Sequence, residues 1–257
     1  MTDEREHVEC LVVHQQVSRV VETSSRFGSA DGERTDAMPT ESKRARIKPL
    51  RERGLMRYDQ DTIYRIVDEA LVCHTGYQVD GEARVVPLMH VRIGDQLFLH
   101  GSTGSRLMLA ASGVGTQVCV SVTLLDALVF ARAQFMHTLN YRSVTVHGQA
   151  CPVTEEGEKR AVMAALLDKL ARGRSADTRP PSSRELAQTA VLTIPLVEVS
   201  ARIQTGGVAD EPEDMALAHW AGVIPLRMTA GPAREDHSAV AVPLPDYMAR
   251  YQLGESE

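Results

Sequence analysis

Six consecutive residues, Gly101-Ser102-Thr103-Gly104-Ser105-Arg106, gather glycines, hydroxyls and a guanidinium in one short segment. An apolar strand-like run, Leu97-Phe98-Leu99, leads into it; a helix-like run from Leu107 to Ser112 leaves it and stops at Gly113. A helix start reached through small residues offers backbone N–H groups with no partner of their own, which suits an anion. Ser105 adds a hydroxyl and Arg106 a permanent charge at the same point, the combination that holds a phosphate. A second basic and hydroxyl pair, Arg142-Ser143, stands at the head of a strand from Ser143 to Val146. The plainer reading is a helix capped by Ser102 or Ser105, with Arg106 and Arg142 as solvated charges. The segment is not a P-loop, since no Lys-Ser/Thr follows its second glycine. Nor is it a dinucleotide fingerprint, since Gly-x-Gly-x-x-Gly is absent.

Other chemistries find less support. The histidines form no His-Glu-x-x-His pattern, so a helical zinc site is not expected. The four cysteines (Cys10, Cys73, Cys119, Cys151) include no Cys-x-x-Cys pair. Three of them lie in strand-like runs, which favours buried free thiols and a reducing cytoplasm. A net charge of −6 opposes broad binding to nucleic acid or anionic membranes, so any phosphate must be held by local arginines. No apolar run approaches the ~20 residues of a membrane span. His90 and His137 could exchange protons near neutrality, but no residue can be assigned as a catalytic acid or base.

The elements that would position these residues can be read in order. Residues 1–48 read as a flexible extension. His7 to Val21 could form a broken amphipathic helix, and Ser24 to Lys48 is too polar to build a core. The body, residues 49–230, opens with a helix over Tyr58 to Leu71, capped by Asp59 or Asp61. A strand from Val72 to Val79, a two-residue Asp80-Gly81 turn and a returning strand from Glu82 to Val91 form a hairpin. Gly94-Asp95 turns the chain again. Tight turns between successive strands make an antiparallel sheet and favour a barrel over a doubly wound fold. Pro87 removes a ladder donor, so its strand should be broken there or lie at an edge.

Beyond the Gly101–Arg106 turn come an apolar strand, a second strand carrying Asp126 and Arg132, and another running through Tyr141 to Val146. A helix over Glu155 to Ala171, closed by Gly173, precedes a loop, a helical turn at Arg184 to Gln188 and one long strand from Val191 to Ile203. The last strand, Trp220 to Leu226, begins at the only tryptophan, a residue as suited to core packing as to a ligand. Residues 231–257 read as a loose tail.

Taken together, the segments LFLHGSTGSR, CVSVTLLDALVFAR, NYRSVTVHG and WAGVIPL resemble the pyridoxamine 5′-phosphate oxidase superfamily. The likeness runs from Arg53 to Leu226. It is nearest to the flavin-nucleotide-binding, pyridoxamine-phosphate-oxidase-related branch that includes the nitroimidazole-resistance flavoproteins. The resemblance implies a mainly β fold with flanking helices, an antiparallel, Greek-key-like FMN-binding split β-barrel. It implies FMN in a groove between the subunits of a homodimer. His100, Gly101, Ser102, Ser105 and Arg106 would hold the phosphate and ribityl end, and Pro87, Leu88, Met89 and His90 would face the isoalloxazine. Tyr141, Arg142, Ser143 and Trp220 would complete the site. The implied function is an FMN-dependent oxidoreductase passing electrons from a reduced nicotinamide or substrate to a small organic acceptor. The alternatives are a non-catalytic flavin carrier or sensor, or a split barrel using F420 or haem. True pyridoxamine 5′-phosphate oxidase activity is not expected. Leu107 and Met89 stand where that enzyme's pattern has lysines, and its C-terminal arginine motif is not evident after Trp220.

Overall fold

The computed structural model describes Ile47 and residues 53–236 and 242–251. The expected extension over residues 1–48 lies outside these, apart from Ile47, whose carbonyl accepts a hydrogen bond from the Tyr58 hydroxyl at 3.2 Å.

A two-residue strand β1 (Met56–Arg57) precedes helix α1 (Gln60–Glu69). The Asp59 side chain accepts from the Thr62 N–H at 2.9 Å and so caps the helix. Ile63, Ile66 and Val67 repeat at helical spacing and are buried. Strands β2 (Val72–Val79) and β3 (Glu82–Ile93) form the expected hairpin. Its turn residues Asp80 and Gly81 have φ of 54° and 77°, the left-handed conformation that a tight hairpin turn demands. β4 (Gln96–Ser102), helix α2 (Arg106–Ala110), β5 (Thr116–Phe130) and β6 (Thr138–Pro152) follow. Next come α3 (Glu156–Leu170), α4 (Ser183–Ala187), β7 (Thr189–Pro195), β8 (Glu198–Gln204), β9 (Gly222–Pro225) and α5 (Asp246–Ala249).

Every strand pairing is antiparallel. The order β6-β7-β4-β3-β2-β5 closes on itself because β5 also pairs with β6. That ring is the barrel; β8 with β1, and β9, extend from it. The split lies along one edge of β6. Tyr141–His147 on that edge pair with β8, whereas Cys151 and Pro152 pair with β7. The barrel interior is filled by Leu97, Leu99, Val118, Val120, Val144, Val146, Leu192 and Ile194, with the apolar stripe of α1 packed among them. A smaller cluster buries Val162 and Leu166 of α3 against Val91, Phe98, Val153 and Val191.

The structure departs from the sequence reading in several places. β5 is one strand, not two: a bulge between Leu125 and Ala127 absorbs Asp126, and the pairing with β6 continues beyond it. The long strand expected over Val191 to Ile203 is interrupted at Leu196 and Val197, where the chain passes from the β7 track to the β8 track. The final strand starts at Gly222 rather than Trp220. The tail is not loose throughout, since the Tyr247 hydroxyl of α5 donates to Asp177 at 2.7 Å. Cys73 and Cys119 are free thiols as expected; Cys151 is disulfide-bonded, which corrects the expectation for that residue.

Candidate functional site

β3 and β4 are paired only from His90↔Leu99 to Ile93↔Gln96. Beyond that point they part. β3 (Glu82–Met89) continues along β2, and β4 (His100–Ser102) continues along β7. The result is a wedge-shaped gap with the His90/Leu99 pair at its apex. Pro87, Leu88 and Met89 form one lip, and His100, Gly101 and Ser102 the other. Pro87 therefore has a strand on one side only, which satisfies the rule that excludes proline from the middle of a sheet.

The second lip runs into the Gly101–Arg106 turn. Here the chain is internally knitted. The Thr103 N–H donates to the Gln188 carbonyl (3.1 Å), the Ser105 N–H to the Ser102 carbonyl (2.9 Å) and the Gly104 N–H to Ser102 Oγ (3.3 Å). Ser105 caps α2 by accepting from the Met108 N–H at 3.4 Å. Three of the turn's amides are thus spent, and fewer face outward than the sequence suggested. What remains for an anion is the Arg106 guanidinium and the hydroxyls of Ser102 and Thr103. Arg106 is exposed and, among the described residues, makes no hydrogen bond or ion pair. A Cβ at Gly101 would lie 2.9 Å from Met108 Cε, the far end of a flexible side chain that can shift aside.

The imidazoles near the gap are neutral. His100 is half-buried with no partner for Nδ1, and burial lowers its pKa. His90 is completely buried and points away from solvent. Its Nε2 lies 2.9 Å from the Val67 carbonyl and 3.0 Å from Lys169 Nζ, which itself donates to that carbonyl at 2.9 Å. Burial, and then the Lys169 charge, push His90 down to about 4, while burial pushes Lys169 down to about 8. His90 therefore forms the floor behind the apex rather than part of an open wall. His137 is exposed, at the far end of β5 and β6.

The remaining residues of the expected site lie apart from the gap in one chain. Arg142 and Ser143 are on β6, and from β3 to β6 the intervening strands are β2 and β5, a separation of about 14 Å at ordinary strand spacing. The Arg142 guanidinium is also committed. Its Nη1 and Nη2 donate to Glu69 at 2.5 and 2.8 Å, and Nε and Nη2 donate to Asp126 at 3.0 and 2.8 Å. Those bonds raise its pKa further, and with two carboxylates against one guanidinium no positive charge is left for a phosphate. The Tyr141 hydroxyl accepts from Arg202 Nε at 2.8 Å, and Ser143 Oγ faces the Arg202 carbonyl at 3.5 Å. Trp220 lies over Gly222, with Phe130 at 6.1 Å and His137 beyond it, and is 68% exposed. Sequence reasoning missed the Glu69–Arg142–Asp126 clamp and the His90–Lys169 pair. The partners are 73 and 79 residues apart, and no local pattern links them.

The fold is a closed antiparallel barrel, split along one edge, with a gap where β3 and β4 part. Residues 59–203 match the family model for pyridoxamine 5′-phosphate oxidase, and the chain belongs to that family. It is 34% identical to the flavocytochrome Anf3 of Azotobacter vinelandii over 79% of this chain and 94% of that one, with a TM-score of 0.74. It is 31% identical to an FAD and haem binding protein of Mycobacterium smegmatis over 77% of this chain and 98% of that one, with a TM-score of 0.72. A putative 5-nitroimidazole antibiotic resistance protein of Bacteroides thetaiotaomicron is 19% identical over 58% and 86% of the two chains, at a TM-score of 0.49. A comparison with curated proteins gives no match. Among the described residues no helix is long and apolar enough to cross a membrane, and no group of three or more His, Cys, Asp or Glu side chains could hold a metal ion.

Proposed function

We propose that this chain is a flavin-dependent oxidoreductase that seats the isoalloxazine, ribityl and phosphate of its flavin in the gap between β3 and β4. One observation carries the reading: the two strands separate at His90/Leu99, and one lip ends in a turn with an unpaired, exposed arginine. The residues present fit the group. Arg106 and the Ser102 and Thr103 hydroxyls would take the phosphate, the Gly101 backbone would take the ribityl chain, and Pro87, Leu88 and Met89 would lie along the ring. Bound flavin supplies the redox chemistry; the protein supplies position, neutral surroundings and exclusion of water. The electron source would be a reduced nicotinamide or substrate and the acceptor a small organic molecule. Leu107 and Met89 bring no charge to the gap, which disfavours a second phosphorylated substrate such as pyridoxamine 5′-phosphate. A homodimer in the cytoplasm completes the proposal, with Tyr141, Arg142, Ser143 and Trp220 facing the flavin from the second copy.

Purified protein should carry flavin bands near roughly 370 and 450 nm and be bleached rapidly by NADH or NADPH. A yellow protein inert to both reductants would be a carrier or sensor. A protein that is colourless and gains no signal from added flavin would refute the proposal. Haem is the second group to test. One relative is named as an FAD and haem binding protein and is matched over 98% of its length. A Soret band in the same spectrum would establish it.

A further inference from the structure

Cys151 stands in a disulfide, whereas Cys73 and Cys119 are free thiols. The chain has four cysteines, so the partner within the chain is Cys10. A second observation lies on the same face of the sheet. Val144, Val146 and Ala150 of β6, and Val199 and Ala201 of β8, belong to the barrel core. By the two-residue period of a strand, Thr145, His147 and Cys151 on β6 and Glu198 and Ser200 on β8 therefore point outward. An outward face of an antiparallel sheet ordinarily meets water, yet Glu198 and Ser200 are only 8% and 6% exposed and Cys151 is fully buried. Among the described elements, β6 takes one edge of β8, and β1 meets the other only at Ala201 and Arg202. Helix α3 covers the outer face of β3, β4 and β7 instead. We propose that residues 10–46 lie across the outer face of β6 and β8 as an arm, clasped at its far end by a Cys10–Cys151 disulfide that a dithiol reductant opens.

The near end of the arm is fixed by Ile47, which is buried and whose carbonyl accepts from the Tyr58 hydroxyl just after β1. β1 pairs with Ala201 and Arg202, and these pair in turn with Val144 and Ser143 of β6. From Val144 to Cys151 the strand advances about 23 Å. The pairs Thr145/Ser200 and His147/Glu198 lie between those two points. A chain running from Ile47 back to Cys10 is long enough for that path and passes over the buried Glu198 and Ser200. Charge agrees with the path. A carboxylate withdrawn from water calls for a cation, and Lys43, Arg44 and Arg46 immediately precede Ile47. Opening the clasp is a thiol–disulfide exchange. A dithiol passes two electrons and two protons to Cys10 and Cys151, their sulfur–sulfur bond breaks to two thiols, and the dithiol closes to its own disulfide. In a reducing compartment such a bond acts as a redox-responsive clasp rather than a permanent staple. The arm is held when the pair is oxidised and released when it is reduced, whichever cofactor the barrel holds.

The test uses the full chain, as the parent and as Cys10→Ser and Glu198→Gln. Alkylation of the oxidised parent after unfolding, without reductant, should label Cys73 and Cys119 alone, and peptide mapping should recover Cys10 joined to Cys151. Trypsin should cut after Arg44 and Arg46 at least about tenfold more slowly in the oxidised parent than in Cys10→Ser or in the parent treated with dithiothreitol, because cleavage requires the arm to lift. Glu198→Gln keeps the shape of the side chain and removes its charge. It should speed the same cuts at least about threefold with the disulfide intact, as loss of one charge-assisted bond implies. Labelling of Cys151 in the oxidised parent, or equal cutting rates with and without the disulfide, would overturn the clasp. Faster cutting in Cys10→Ser with no change in Glu198→Gln would place the arm off this face and overturn the docking. A mass that doubles without reductant would put the arm of a second copy there and overturn the intrachain pairing.

Discussion

At the scale of single residues, two buried ionisable groups should act on stability with opposite sign. His90 is neutral in the folded protein, with its pKa at about 4 because burial, then Lys169, opposes its charge. The unfolded chain takes up a proton near pH 6.5 that the folded one refuses, so stability is lost as pH falls from 6.5 towards 4. The loss approaches about 3 kcal/mol at 1.36 kcal/mol per unit. His90→Gln should flatten that limb when urea midpoints are compared at pH 4 and 6.5. Glu158 behaves conversely. It is buried in the first turn of α3, neither carboxylate oxygen has a partner, and burial, then Glu155, raise it to about 7. The folded protein keeps its proton while the unfolded chain releases it from 4.5 upward, so stability falls as pH rises from 4.5 to 7. Glu158→Gln should stabilise by up to about 3 kcal/mol at pH 8 and by almost nothing at pH 4.5. Arg106 acts on the ligand instead. Arg106→Ala should weaken flavin binding roughly 10- to 150-fold, the worth of a charge-assisted bond to phosphate. Arg106→Lys should restore only part, because the fork is lost. Binding of Arg106→Ala within about threefold of the parent would move the phosphate elsewhere.

At the scale of elements, the Arg142 clamp ties together the end of α1, the bulge in β5 and the middle of β6. Glu69 stands on the last turn of α1. Asp126 is the bulged residue itself, and its carbonyl also accepts the Leu226 N–H at 2.8 Å, next to β9. One guanidinium thus fixes how α1 lies over the barrel, and the bulge fixes where the C-terminal strand attaches. The three side chains are each about one-third exposed, so solvent screens the pair energies. Arg142→Met leaves two carboxylates facing each other and should cost about 2 kcal/mol, read as a melting temperature lower by about 4–8 °C. The same variant should change flavin affinity little in the monomer. A large loss of flavin with an unchanged melting temperature would show that Arg142 does meet the cofactor.

At the scale of the whole molecule, apolar side chains remain exposed on several strands: Val72 on β2, Val85 on β3, Leu125 on β5, Leu139 on β6 and Ile224 on β9, and Trp220 is exposed as well. Covering such surface is worth about 25 cal/mol per Å², and contiguous exposed apolar area marks association sites. The gap is also open on the side away from the barrel, so a flavin ring held by one chain would stay partly in water. Light scattering should give twice the mass of the chain, and dilution that dissociates the dimer should release flavin. A monomer that keeps its flavin would rule this arrangement out.

The sequence by itself determined what local rules control. Asp59 or Asp61 caps the helix that follows wherever it lies, Asp80-Gly81 turns a hairpin because only left-handed residues fit there, and Gly101–Arg106 makes a strand-to-helix turn that ends in an arginine. Motif likeness added the family and the barrel. Tertiary structure alone decided which of these residues meet. The opening of β3 from β4, the continuation of β5 through its bulge and the division of β7 from β8 along β6 are matters of strand register, and register is set by pairings between distant segments. The fates of Arg142 and His90 follow from the same cause. Their types announced a possible ligand contact, but Glu69, Asp126 and Lys169 were brought to them by the fold, and a charge already neutralised, or an imidazole already buried, has different chemistry from the same residue read in a line of text.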